Sequence, residues 1–201
     1  MHHFFSHRAA KKGFTLVETL VAIGILAVAV AGPLYAASRA LVATQVTRDQ
    51  FIASYLAQEG IEYVRALRDS AFLDAYVPPP SPTVCPWSGS VATVSCTAWT
   101  SFKTGIETYC LTPNRCTLDP SLPIGYGSGT AVQSAGGTAP PLRLMSGRYT
   151  QNTSGTVTKF TRTIQVAAPS ATNENITSTV TWNFQGTTYS VSSTDDLTPW
   201  Q

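Results

Sequence analysis

Residues 11–37 read KKGFTLVETLVAIGILAVAVAGPLYAA, and most of the chain's organisation follows from them. Phe14 to Ala37 is a run of 24 residues with a single charge, Glu18. As an α-helix this run extends roughly 36 Å, enough to cross a hydrocarbon core of about 30 Å. Ahead of it, residues 1–13 read MHHFFSHRAAKKG, with Arg8, Lys11 and Lys12 basic and nothing acidic. Cations before an apolar segment place residues 1–13 in the cytoplasm and the rest outside. A cleaved secretory signal or a plain anchor would have the same gross form, and Ala29-Val30-Ala31 formally offers a small-x-small cleavage site. Glu18 counts against both, because an unpaired carboxylate in lipid is costly and usually marks a function. At the membrane surface that cost shrinks, so charge alone leaves the alternatives open.

Working outward, the helical pattern continues past the apolar run. Ile52, Leu56, Tyr63 and Leu67 keep helical spacing, with Glu59 or Gly60 intervening, while Arg48, Asp49, Glu62, Arg65, Arg68 and Asp69 populate the other faces. Pro33 removes one internal hydrogen bond and predicts a kink there. The next proline is Pro78, and Pro78-Pro79-Pro80-Ser81-Pro82 ends the helix.

Beyond it, threonine and serine become abundant, which favours strands and loops. Residues 83–103 carry short strand-like pieces such as Ser90–Trp99, and residues 104–148 read as irregular. The last third is cleaner. In Thr156–Ala167 the set Thr158, Phe160, Arg162, Ile164 and Val166 forms the buried face. Ile176, Ser178, Val180, Trp182 and Phe184 share one face of the next strand. Gln185-Gly186-Thr187 turns the chain into Thr188–Ser193, making a hairpin and, with the preceding strand, an antiparallel meander. The fold class is therefore α+β, a long N-terminal helix packed against a small antiparallel β-sheet head.

Cys85, Cys96, Cys110 and Cys116 all lie in the distal half. The set suits an oxidising compartment, and four cysteines allow three pairings that sequence cannot rank. Loop length alone suggests Cys85 with Cys96 and Cys110 with Cys116. No CxxC pair occurs and no histidine follows His7, so a metal site is not expected.

The same residues exclude several function classes. Thirteen Lys and Arg stand against eleven Asp and Glu, for a net charge of +2. Without the three cations of residues 1–13 the balance is −1, so no bulk attraction to nucleic acid is expected. After residues 1–13 no histidine occurs, so no serine there has a histidine base; no glycine-rich phosphate loop occurs, and neither an enzyme nor a cofactor is expected. Asp195-Asp196 reads as a solvated turn rather than a calcium site. Trp87, Trp99, Trp182 and Trp200 read as packing residues. Asn152-Thr153-Ser154 and Asn175-Ile176-Thr177 match the glycosylation pattern, which arises easily by chance in a Thr-rich chain.

Lys11-Lys12-Gly13-Phe14-Thr15-Leu16-Val17-Glu18 resembles the processing signal of type IV pilins and type II secretion pseudopilins. The resemblance implies a membrane peptidase that cuts between Gly13 and Phe14 and N-methylates Phe14, so that the apolar helix is retained. It makes Glu18 the fifth residue of the processed chain, the family's assembly glutamate, and sets Pro33 near a helix-breaking proline of many pilins. It divides the chain into a leader (1–13), a transmembrane and assembly half-helix (14–37), an extramembrane half-helix (38–77) and a disulfide-containing β-rich head (78–201). The function implied is a minor structural subunit of a type IV pilus-like filament. A type II secretion pseudopilin, a DNA-uptake pilin and an anchored binding module that never polymerises are the alternatives. The implied partners are the prepilin peptidase/N-methyltransferase, other pilins or pseudopilins and the inner-membrane assembly platform. The implied location is the inner membrane, single-pass with the head outside, and then the filament.

Overall fold

The computed structural model describes residues 13–76, 94–167 and 169–199. The expectations for residues 1–12, Pro78–Pro82, Cys85, Trp87, Trp200 and the side chain of Cys96 lie outside those described residues. The chain divides into two compact units, Met1–Thr47 and Arg48–Gln201.

Helix α1 runs from Leu16 to Tyr76 and contributes to both units, with Pro33 inside it. Its start is specified locally. Thr15 Oγ1 accepts the Glu18 N–H at 3.3 Å, and the Thr15 carbonyl accepts the Thr19 N–H at 3.1 Å. Thr15 thus acts as an N-cap, and Thr-x-x-Glu is the capping-box pattern. From Leu16 to Leu41 the helix is exposed on every face, with Leu16 79% and Val28 76% exposed. By length and composition it is apolar enough to cross a membrane.

In the second unit the helix is one-sided. Ala53, Leu56, Ala57, Ile61, Val64 and Leu67 are buried at helical spacing. They pack against a five-stranded antiparallel sheet. Its strands are β1 (Cys116–Leu118), β2 (Val132–Ser134), β6 (Phe160–Ala167), β7 (Glu174–Phe184) and β8 (Thr187–Leu197), in the order β2-β1-β6-β7-β8. Three short strands, β3 (Arg143–Met145), β4 (Arg148–Thr150) and β5 (Thr156–Val157), form a separate sheet. The expected faces hold. Phe160, Arg162, Ile164 and Val166 are buried on β6, and Ile176, Ser178, Val180 and Trp182 on β7. Register places Phe160 opposite Trp182 and Val166 opposite Ile176, so apolar side chains stack across the strands. The turn between β7 and β8 has positive φ at Gln185 and Gly186, which suits the twist of a two-residue hairpin.

The region expected to be short strands and irregular chain differs. Helix α2 spans Val94–Cys110. Ala98, Trp99, Phe102, Ile106 and Cys110 are all buried, recurring every three or four residues. That periodicity outweighs the strand preference of its threonines, because burial of such side chains contributes roughly 1.5–3 kcal/mol each against a few tenths from propensity. Trp99, Phe102 and Ile106 join Ile61, Val64, Leu67, Ile164, Val166 and Ile176 in one core. Phe160, Val180, Trp182, Leu142 and the Ala53–Ala57 stretch of α1 form a second. A disulfide joins Cys110 at the end of α2 to Cys116 at the start of β1. Between them Thr112 N–H donates to the Val166 carbonyl at 3.0 Å, tying this short loop to β6.

Candidate functional site

The N-terminal turn of α1 gathers the residues that carry the sequence motif. Among the described residues, no atom beyond its chain neighbours lies within 4 Å of where a side chain on Gly13 would begin. Phe14 is 78% exposed and stands just before the cap residue Thr15. Glu18 lies in the first helical turn, where the positive end of the helix dipole favours a carboxylate. Its side chain is exposed. Pro33 lies four helical turns further on. Cys110 and Cys116, in the head, form a separate group.

The hydroxyls of this half-helix are handled internally. Thr19 donates to the Leu16 carbonyl, Ser38 to that of Tyr35 and Thr44 to that of Ala40, each at 2.8 Å. Such back-bonding satisfies hydroxyl groups without water, which suits a helix in an apolar surrounding.

The head contains charged groups that sequence reasoning did not assign. Arg162 is fully buried. Its guanidinium donates to the Leu56 carbonyl at 3.1 Å, to Glu59 Oε2 at 2.6 Å and to the Leu118 carbonyl at 2.9 Å. It thus fastens α1 to β1 and β6. Lys159 pairs with the buried Asp49 of the same helix. Lys103 on α2 donates to Glu107 and to the wholly buried Glu174 of β7. Burial pushes the Glu174 carboxyl above the ordinary range, and Lys103 pulls it back only in part. Asp119 is buried too. Burial alone would raise its pKa, but donors from Ser121, Gln151 and Thr150 hold it below the ordinary carboxylate range. Apart from Lys103–Glu107, which lies within α2, the ion pairs join separate parts of the second unit. The signal available in the sequence was a lone arginine among the apolar residues of β6. Among the described residues, no group of three or more His, Cys, Asp or Glu side chains is placed to hold a metal ion.

A groove of about 500 Å³ runs beside α1, lined by Ile52, Tyr55, Leu56, Glu59, Arg148 and Tyr149, with Pro120, Ser121 and Gly147 completing it. It holds no catalytic pairing, since Glu59 is engaged by Arg162.

Residues 8–32 match a family model described as the prokaryotic N-terminal methylation motif. The match covers the basic stretch, the Gly-Phe junction and most of the apolar run, and none of the head. With the one long apolar helix found among the described residues it supports a prepilin-like family and membrane association, and it implies a peptidase and methyltransferase of the prepilin type. No curated protein and no solved structure matches the chain.

Proposed function

We propose that this chain is a minor structural subunit of a type IV pilus-like filament, cleaved between Gly13 and Phe14 and N-methylated at Phe14. The observation that carries the reading is the first unit of α1. From Leu16 to Leu41 it is an exposed apolar helix with one carboxylate, which lies in its first turn and inside the stretch that matches the methylation motif. Such a helix needs lipid before assembly and other helices after it. Cleavage creates an α-amine at Phe14, and Glu18 is the acid available to pair with that amine on a neighbouring subunit. In an apolar filament core the pair acts as a registry device, because a misplaced subunit leaves both charges unpaired.

On this reading the chain is single-pass in the inner membrane, with Arg48–Gln201 outside the cytoplasm. Its partners are the prepilin peptidase, other pilins and the assembly platform. The Cys110–Cys116 bond fits an oxidising exterior. Intact-mass spectrometry of protein extracted from native membranes tests the processing step. The expected mass is that of Phe14–Gln201 plus one methyl group, less the hydrogens lost in disulfides. A chain beginning near Gly32 would instead restore the ordinary secretory signal.

A further inference from the structure

The charges of α1's first unit bracket a membrane-sized interval. Glu18 and Arg39 are consecutive charged residues of the sequence, with nothing charged between them. Their separation of 21 residues corresponds to about 32 Å of helix, against a hydrocarbon core of about 30 Å. At the distal end of this interval two side chains are joined. Arg39 Nε donates to the Tyr35 hydroxyl at 3.1 Å, and the guanidinium carbon lies 5.3 Å from the centre of the Tyr35 ring. Both residues are exposed, Tyr35 by 63%. Tyrosine is favoured where lipid meets water, since its ring is apolar and its hydroxyl polar. An arginine stacked on it is partly immobilised, so less rotamer freedom is lost on binding.

We infer that Tyr35 and Arg39 form a lipid headgroup contact at the outer face of the membrane, with Arg39 taking the phosphate of an anionic phospholipid. The inference rests on the reading of α1 as a membrane-spanning anchor and adds where along the helix the membrane ends. Nε is engaged by Tyr35, which leaves the two terminal nitrogens for phosphate oxygens in the paired geometry that guanidinium favours. The next acidic residue along the helix is Asp49, which is buried and held by Lys159, so no carboxylate close by on the helix competes for Arg39. Fixing the outer boundary also fixes the inner one. Glu18 then sits at the cytoplasmic edge of the core, where its charge is hydrated before assembly, rather than at mid-bilayer. Withdrawal from this seat into a filament would break the phosphate contact, so the pair holds the subunit at a defined depth until assembly.

The test uses the full chain in phosphatidylcholine vesicles containing one-third phosphatidylglycerol. Tyr35→Trp adds an emitting ring at the proposed depth, and the unsubstituted chain supplies the background of the head tryptophans. The added emission should be quenched most by lipids brominated close to the headgroup. Stronger quenching by lipids brominated near the chain ends overturns the depth assignment alone. Absence of quenching by either overturns the anchor reading together with it. For the phosphate contact, native mass spectrometry counts lipids retained by the chain. Arg39→Gln should lower retention of phosphatidylglycerol relative to phosphatidylcholine about fivefold, the effect of one cation at an anionic surface. Arg48→Gln, nine residues further from the membrane, should leave the ratio unchanged. Equal ratios for Arg39→Gln and the unsubstituted chain overturn the lipid contact.

Discussion

The two parts of α1, Leu16–Thr47 and Arg48–Tyr76, are one continuous helix built by opposite rules. In the first, large apolar side chains such as Leu16, Val28 and Leu34 are bare on every side. In the second, Leu56, Val64 and Leu67 are covered, and Glu59 and Arg65 pair with Arg162 and Asp195 of the sheet. Each part contains glutamate and glycine, and the same residue type does different work in each. Glu18 stands exposed in the first turn, while Glu59 neutralises a buried arginine. Gly24 and Gly32 touch nothing, while Gly60 lies against β7. The contrast teaches that the second part is specified by this chain alone, whereas the first is specified by something the chain must meet.

Glutamate gives the largest test. Glu59→Ala leaves the Arg162 guanidinium fully buried with only two carbonyls to receive it. Stranding a buried charge costs several kcal/mol, and the half-exposed position of Glu59 admits water that reduces this. We expect the head to lose about 3 kcal/mol in urea unfolding. Glu18→Ala should leave the midpoint of the same transition unchanged, because Glu18 is exposed and takes no part in the head's core. Its effect should appear only in filaments sheared from native cells, as a loss of incorporated subunit at equal membrane abundance. Incorporation equal to that of the unsubstituted chain would remove the registry role. A head weakened by Glu18→Ala as much as by Glu59→Ala would erase the distinction between the two parts.

Glycine gives a smaller one. A side chain at Gly60 would overlap Ser178 Oγ and lie 3.1 Å from both Ser178 Cβ and Ile164 Cδ1. Gly60→Ala gains up to about 1 kcal/mol of helix propensity but forces β7 away from α1, and we expect a net loss of about 1–2 kcal/mol. Ser178→Gly on the same background removes the overlapping atoms and should recover part of that loss, which thermal unfolding of the double variant reads directly. Gly24→Ala meets no atom and should leave the head's melting temperature where it is. If Gly60→Ala proves stabilising, the close approach of helix and sheet is looser than these distances imply.

How far each part could be read in advance follows from the same division. The first part was legible because its signal is local. Eight residues, Lys11–Glu18, carry the motif, and the apolar run behind it needs no tertiary context. The meander was legible because β6 and β7 alternate strictly, each with one buried face. Helix α2 was not, since its threonines argue for strand while its helical spacing spreads over Ala98, Trp99, Phe102, Ile106 and Cys110, residues that also fit a strand locally. Burial decided between them, and burial depends on Ile61, Val64 and Leu67, more than thirty residues away. Gly60 and Glu59 were visible in the sequence, but nothing local revealed that one faces Ser178 and the other Arg162. The Cys110–Cys116 pair matches the shortest loop available, whereas Cys85 lies outside the described residues.

Acid gives the smallest and most selective test, because it separates buried from exposed carboxylates without altering the backbone. Asp119 receives the backbone N–H of Ser121 at 3.0 Å and of Gln151 at 2.9 Å, and hydroxyls from Ser121 at 2.7 Å and Thr150 at 2.9 Å. Burial works against its charge, but these donors outweigh burial and hold its pKa below the ordinary value. An acid whose folded pKa is depressed binds its proton more readily when unfolded. Its stabilising contribution is therefore complete above the unfolded pKa, near 4, and is lost as pH falls through the lower folded value. The start of the β1–β2 loop and the segment after β4 should consequently weaken below about pH 4, detected as faster amide exchange at Ser121 and Gln151. Asp119→Asn keeps the shape but turns an acceptor oxygen into a donor facing donors. That variant should lose stability at neutral pH and show little further change on acidification. Glu18 takes no part in the head's core, so Glu18→Ala should leave the acid profile of the head intact. Exchange at Ser121 that stays constant between pH 5 and pH 3, after correction for the intrinsic rate, would show that Asp119 is not the group whose ionisation holds this loop.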